Sequence, residues 1–277
     1  MAYYVTGNYH EALTDYSKAA ELDPSFPPYW TSRGIAYATL HQFEKARADF
    51  SKAIELDPNE SLAWGGRVAI CLNLDQWDRA AADVANWREV SPGNPWPWHL
   101  TATMHLYRGD VAGYRRACRG MLKRFGGTEQ ADVAECVVKT CALAPDAVSE
   151  FQSVVRLSDL AVDKHGSDRC KLMAKGLVEY RAGRAADALT WLKRIPLKTD
   201  GVDWDWYATG FALIALAENR VGRHEEAQAA LSRARAIVAK KFPVPPKGKY
   251  FGPRGADWLY AYLLCREAEK ELERHGK

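Results

Sequence analysis

The 277-residue chain has no uninterrupted apolar stretch near the ~18 residues needed to cross a bilayer, although 47% of it is hydrophobic. Its first residues, Met1-Ala-Tyr-Tyr-Val-Thr6, lack the basic and apolar regions of a secretory signal, so a cytoplasmic protein that does not engage membranes is expected. Charge of one sign is scarce as well. The formal net charge is +3, too little by itself to imply a nucleic-acid partner. Six cysteines, Cys71, Cys118, Cys136, Cys141, Cys170 and Cys265, include no Cys-x-x-Cys pair, and several fall on apolar stripes. They read as buried, reduced thiols. The histidines do not take the His-Glu-x-x-His spacing, so neither a metal nor a cofactor is expected. Walker loops and Gly-x-Ser-x-Gly elbows are missing, and no acid–base pair or nucleophile emerges. The chain is not expected to be an enzyme.

What the chain has is a period. Trp30, Trp64 and Trp98 stand 34 residues apart, as do Pro24, Pro58 and Pro92. The turn positions Gly7, His41, Asp75 and Gly109 keep the same step, and so do Ala12, Ala46 and Ala80. A fixed interval across unrelated kinds of position marks a stacked supersecondary unit. Arrays of this sort usually act by presenting an extended surface.

Within one unit, Pro28 to Leu40 predicts a helix with Trp30, Gly34 and Tyr37 on one face. A break at His41-Gln42 follows, and Phe43 to Leu56 predicts a second helix with Phe43, Ala46, Phe50 and Ala53 on one stripe. Asp57-Pro58-Asn59 ends it, because proline cannot extend a helix and restrains the residue before it. Gly34, Ala46 and Ala53 let the two helices approach, while Trp30, Tyr37 and Phe50 fill the space around the contact.

The pattern Trp30, Gly34, Tyr37, Ala46, Phe50, Ala53 and Pro58 resembles a tetratricopeptide repeat, and Gly7, Tyr9, Ala12, Tyr16, Ala19 and Pro24 resemble the later part of another. The unit from Ser61 keeps Trp64, Ala80 and Pro92 but places Val68 and Trp87 where the family prefers small residues. The unit from Pro95 keeps Trp98 and Gly109 but puts Tyr114 where the close-contact alanine belongs, so it is expected to be helical and differently packed. Gly176, Tyr180, Gly183, Ala188 and Leu192 resemble the family again, as do Ala215, Gly222, Ala227, Leu231 and Ala234 after an altered interval. Recognisable units cover about two-thirds of the chain.

The resemblance implies an all-α, right-handed helical-repeat solenoid. Regular units occupy 1–93, the first of them truncated, and a divergent unit 94–126. An irregular helical pair follows at 127–165, then two further units at 166–240. Prolines exclude a helix from 241–254, which reads as a linker before a carboxy-terminal helix at 255–277, its helical residues running from Asp257 to Arg274. Because Met1 to Thr6 supplies only the end of a first helix, Tyr3, Tyr4, Leu13 and Tyr16 are expected to lack cover, which would favour self-association.

A narrower resemblance rests on Arg108-Gly-Asp-Val-Ala-Gly-Tyr-Arg-Arg-Ala-Cys to Thr128, then Thr140-Cys-Ala-Leu-Ala-Pro145, with Trp204-Asp-Trp and Gly222-Arg-His-Glu-Glu-Ala227. This succession is similar to the carboxy-terminal repeat region of large planctomycete-type proteins, many with a serine/threonine kinase domain upstream. It implies an interaction tail. The kinase parts themselves are absent: there is no Gly-rich phosphate loop, Val-Ala-Ile-Lys strand, His-Arg-Asp loop or Asp-Phe-Gly.

In the tetratricopeptide family the first helix of each pair lines an inner groove. Carried onto this chain, the groove positions are Pro28, Thr31, Ile35, Ala38 and Thr39, then Leu62, Gly65, Ala69, Leu72 and Asn73, then Trp96, His99, Thr103, Leu106 and Tyr107. Later units add Cys170, Met173, Leu177, Tyr180 and Arg181, and Thr209, Ala212, Leu216, Asn219 and Arg220. The lysine, asparagine and arginine with which some members grip a peptide carboxylate are replaced by Thr31, Ile35, Gly66, Trp96 and Leu100. An apolar groove of this kind suits an amphipathic helix or an extended apolar peptide, with Thr31, Ile35, Leu72, Trp96, His99 and Tyr107 as the partner-binding residues. It is either open or filled by the protein's own side chains or carboxy-terminal segment.

A protein-interaction scaffold is therefore expected. The alternatives are an RNA-binding helical-repeat protein, whose basic inner face is missing here, and a noncatalytic subunit that positions an enzyme. Two local features admit a second reading. Arg115, Arg116, Arg119, Lys123 and Arg124 read as a solvated helix face or as a surface for an acidic partner. Asp200, Asp203 and Asp205 beside Trp204 and Trp206 read as acids at a helix start, with rings entering the core, in preference to a sugar site.

Overall fold

The computed structural model describes residues 9–163, 168–197, 204–241 and 257–275. The expectations for Met1–Thr6, for the linker from 242 to 254, for Asp200 and Asp203, and for the side chains of Trp204 and Asp205 lie outside the described residues, while Lys241, expected in the linker, closes a helix. Among the described residues the protein is all-α, a helical-repeat solenoid in class, with fourteen helices and no strand. In chain order they are α1 (Tyr9–Leu22), α2 (Pro27–Thr39), α3 (Phe43–Leu56), α4 (Ser61–Asn73), α5 (Trp77–Val90), α6 (Trp96–Tyr107) and α7 (Val111–Phe125). Then come α8 (Ala131–Cys141), α9 (Phe151–Asp163), α10 (Arg169–Arg181), α11 (Ala185–Leu192), α12 (Trp204–Arg220), α13 (His224–Lys241) and α14 (Asp257–His275). Two compact units divide them. One runs to Pro97, and the second starts at Trp98 and includes α14.

The five tight turns close in one way. His41, Asp75, Gly109, Gly183 and Gly222 have φ between 59° and 82°. The N–H of the next residue donates back five positions, Gln42 to Tyr37, Gln76 to Cys71, Asp110 to His105, Arg184 to Glu179 and Arg223 to Glu218, at 2.8–2.9 Å. That geometry needs a left-handed residue, which costs an L side chain about 1–2 kcal/mol and glycine nothing comparable. The 34-residue turn period seen in the sequence is thus a backbone requirement.

In the first two repeats the periodic Trp and Pro are the two ends of one hydrogen bond. Trp30 Nε1 donates to the Pro24 carbonyl and Trp64 Nε1 to that of Pro58, both at 2.9 Å. Each indole in turn lies under an arginine, Arg33 at 4.7 Å and Arg67 at 4.8 Å from the ring centre. Those arginines cross to the second helix of their pair as two-pronged ion pairs: Arg33 with Asp49 at 2.7 and 2.8 Å, and Arg67 with Asp83 at 2.9 and 2.7 Å. A planar guanidinium matches a carboxylate in just this fork.

Phe50 is the wedge of the first unit. It is fully buried, and a side chain on Gly34 would come within 2.9 Å of its ring; one on Gly66, in the next first helix, would meet the same ring. Ala46 is fully buried as well, its carbonyl 3.3 Å from where a Gly34 Cβ would sit, as the helix-pair register requires. One repeat later the large and small partners even out: Val68 and Val84 occupy the Gly34 and Phe50 positions, and both are buried. Cores accept such volume-conserving exchanges better than one-sided ones. In the second unit Gly176 faces Leu192 at the same sixteen-residue offset.

The divergent pair α6–α7 is built differently, as its Tyr114 implied. This ring is fully buried; its hydroxyl donates to the Thr140 carbonyl at 2.9 Å and accepts from the Ala144 N–H at 3.0 Å. The tyrosine thereby ties α7 to the end of α8. All six cysteines are free, and all but Cys170 are buried.

Candidate functional site

In the first unit the predicted groove residues sit mostly below the surface. Thr31 is 2% exposed, Leu72 3% and Ile35 8%, with Ile35 part of the Ala38–Ala46–Phe50 core. α4 is buried on nearly all sides, from Ala63 to Asn73. What stays accessible is the entry of the first helices. Leu62 is 50% exposed and Phe26 45%, while Trp96 is half-buried, its N–H capped by Asn94 Oδ1 at 3.0 Å. Pro28, Leu62 and Trp96 keep the 34-residue step, so they hold equivalent places at the starts of successive first helices.

The second unit holds His99 and Tyr107, so the six predicted residues divide four and two between the units. His99 is fully buried, with Nδ1 2.8 Å from Thr140 Oγ1, and Thr103 Oγ1 donates to its carbonyl. Burial, aided by the charge of Lys139, holds its pKa well below the usual histidine range, so the ring is neutral. Its other neighbour is Tyr260 of α14, with ring centres 6.2 Å apart. Tyr107 likewise meets Tyr262 at 5.5 Å. Farther along α14, Glu267 grips Arg181 with both oxygens, and Arg235 donates to Glu269 at 2.9 Å. Burial works against the Arg181 charge, yet the Glu267 carboxylate outweighs it and raises the pKa. Arg181 also donates to the Ala142 and Leu143 carbonyls.

Three predicted groove positions of the second unit, His99, Tyr107 and Arg181, thus contact the carboxy-terminal helix. Beside α14 a cleft of about 640 Å³ remains, with Leu106, Tyr107, Val111, Tyr262, Arg266 and Lys270 in its wall. Sequence reading missed two charged clusters. Arg33 and Arg67 with Asp49 and Asp83 repeat at 34 residues, a signal that was present and unread. Lys175, by contrast, joins Glu179 at 2.7 Å and Asp159 on the preceding helix, and no period announces that.

Among the described residues no group of three or more His, Cys, Asp or Glu could hold a metal ion, and no helix is long and apolar enough to cross a membrane. Stacked helix pairs with this turn, this wedge and this spacing define an all-α helical-repeat protein. The family model "Tetratricopeptide repeat" matches residues 27–60, and "TPR repeat" matches residues 2–41. Residues 2–60 thus match tetratricopeptide-repeat models. Against curated protein sequences it finds no match.

Solved structures agree in fold. The chain is similar to the APC/C hetero-tetramer Cut9-Hcn1 at TM-score 0.57 and 16% identity, over 86% of this chain and 45% of that one. It is also similar to a tetratricopeptide repeat protein from Parabacteroides merdae at TM-score 0.52 and 11% identity, over 85% and 89% of the two chains. The chain therefore spans less than half the length of the first of these. The likeness to kinase-associated tails is not among these matches. Tetratricopeptide repeats are in general scaffolds for binding other proteins.

Proposed function

We propose that this chain is a non-catalytic interaction scaffold whose first-helix positions dock an apolar or amphipathic segment of a protein partner. The observation that carries the reading is α14. A helix of the chain itself lies against the first-helix positions of the second unit, with Tyr260 at His99 and Tyr262 at Tyr107. These positions accommodate a helix, one of the recurring modes of peptide recognition. In the first unit Leu62 and Trp96 supply the accessible anchors, while Thr31, Ile35 and Leu72 are buried. Tyr107 contributes from the cleft beside α14; His99 is buried, with its ring near that of Tyr260.

Affinity capture followed by a binding titration tests this, comparing wild type with Leu62→Asp and Trp96→Ala after circular dichroism has confirmed folding. Trp96→Ala should cost about 2 kcal/mol, as aromatic hot spots do, with weak salt dependence because the contacts are apolar. Normal binding by both variants, with loss on charge reversal at Arg116 and Arg119, would sink the reading. Two extensions go with it. Self-association through the first unit should appear in light scattering. A role as the tail of a larger signalling protein should appear as kinase motifs in frame upstream of Met1.

A further inference from the structure

α7 carries Arg115, Arg116, Arg119, Lys123 and Arg124 and no acidic residue between Val111 and Phe125. All five cations are exposed, while Tyr114, Cys118, Met121 and Phe125 on the other side are buried. The second helices of the first unit balance their charges: α3 ties Arg47 to Glu44 and Lys52 to Glu55, and α5 mixes Asp78, Arg79, Asp83, Arg88 and Glu89. On α7, Arg115, Arg116, Arg119 and Lys123 form no ion pair among the described residues. Asp110, at the helix start, is already taken by His105 Nδ1 at 2.9 Å and the Gly113 N–H at 2.7 Å. Like charges one turn apart disfavour a helix, so this arrangement burdens the isolated chain.

Part of the strip borders a cleft. Arg119, Leu122 and Lys123 form one wall of a cleft of about 410 Å³, with Val148 and Ser149 opposite and Glu150 as its one carboxylate. At the other end of α7, Val111 is 44% exposed and lines the larger cleft at Tyr107. Val111, Arg115, Arg119 and Lys123 follow one another at four-residue steps, a row of neighbours that winds about 120° round the helix over about 18 Å. The stretch 143–150 borders both clefts, Leu143 to Pro145 at one and Val148 to Glu150 at the other.

We propose that this strip docks an acidic, partly apolar segment of a partner protein, laid out in extended form along α7. Its carboxylates meet Arg115, Arg119 and Lys123, and one apolar side chain enters beside Leu122 and Val148. At about 3.3 Å per residue the strip spans five or six residues. Single-stranded nucleic acid wants aromatic platforms among the cations, and α7 places none on this face. A membrane surface wants several apolar side chains projecting beside the cations, where this helix offers Val111 alone. The cations lie on a second helix and not at the first-helix positions, so the Leu62 and α7 variants tell the two proposals apart.

The test is fluorescence anisotropy of the full chain with a labelled short peptide of Glu, Leu and Ser, against its Gln-for-Glu counterpart. The acidic peptide should bind at least about tenfold tighter at low salt and lose that advantage as salt rises. Arg115→Glu with Arg119→Glu and Lys123→Glu should abolish the preference; should that variant lose helicity, Arg119→Ala with Lys123→Ala decides by the same reading. Leu62→Asp should leave peptide binding unchanged. Equal affinity for the Gln peptide overturns the proposal, as does wild-type binding by the charge variants. Tighter binding of an oligouridine or of phosphatidylserine vesicles than of the acidic peptide overturns it too.

Discussion

The two units use their interior charges in opposite directions. In the first, each arginine reaches forward sixteen residues, Arg33 to Asp49 and Arg67 to Asp83, so the ion pair clamps the two helices of one repeat. In the second, Lys175 precedes Gly176 as Arg33 precedes Gly34, but its carboxylates are Asp159, sixteen residues back, and Glu179 on its own helix. The position that would hold the forward acid is Trp191. The lysine therefore links one helix pair to the preceding one. Arg67 touches both modes, since it also donates to Ser51 sixteen residues back at 3.1 Å. A repeat can thus be stapled within itself or to its neighbour from the same place on the first helix, and the acid decides which. Glu179 and Glu218 then repeat at their own interval, pairing with Arg184 and Arg223 across the turn.

The largest test of this contrast is the wedge. Phe50→Ala empties a fully buried site facing two glycines and should cost about 3–5 kcal/mol, whereas Leu192→Ala, facing Gly176 alone, should cost about 2–4 kcal/mol; denaturant unfolding of both variants makes the comparison. Equal and small losses would mean that the helices close over the gap and that neither residue is a wedge.

Next comes the clamp. Asp49→Ala leaves the Arg33 guanidinium, 17% exposed, without its forked partner and should destabilise by about 1–3 kcal/mol. Lys52→Ala, at a rim pair on the same helix, should cost less than about 0.5 kcal/mol. The difference in melting temperature between the two is the measurement.

A third prediction separates the units by pH. His99 is neutral in the folded second unit, its pKa depressed by burial and then by Lys139. As pH falls through the ordinary histidine value of 6.5 the unfolded chain takes up a proton that the folded one refuses. Stability should therefore be full above that value and fall below it, by at most about 1.4 kcal/mol per pH unit. His99→Gln should flatten this limb of the unfolding profile. A wild-type profile already flat between neutral and pH 5 would mean that His99 charges without cost.

The smallest effect has the opposite sign. His41 sits at φ 59°, where Gly183 and Gly222 do the same task without a side chain. His41→Gly should stabilise the chain by about 0.5 kcal/mol, the strain relieved being partly offset by the looser unfolded chain and the lost contact of His41 with Phe43. Asp75→Gly should gain less, because Asp75 Oδ1 accepts from Trp77 Nε1 at 2.7 Å. Thermal melts read both.

The sequence alone determined whatever recurs. Trp30 and Trp64, Pro24 and Pro58, His41 and Asp75, Ala46 and Ala80 are legible because an indole-to-carbonyl bond, a left-handed turn and a close helix approach each recur when the unit comes round. The Arg33 and Arg67 clamp was legible in the same way. The last helix was written in its own composition, from Asp257 onward. What tertiary structure decided is whatever happens once. Tyr114 revealed a departure, but not that its hydroxyl would meet Thr140. The family resemblance placed His99, Tyr107 and Arg181 at groove positions, but not that Tyr260, Tyr262 and Glu267 would meet them. Such contacts join residues tens of positions apart, and no local rule of spacing fixes which distant side chains meet; that choice belongs to the packed chain as a whole.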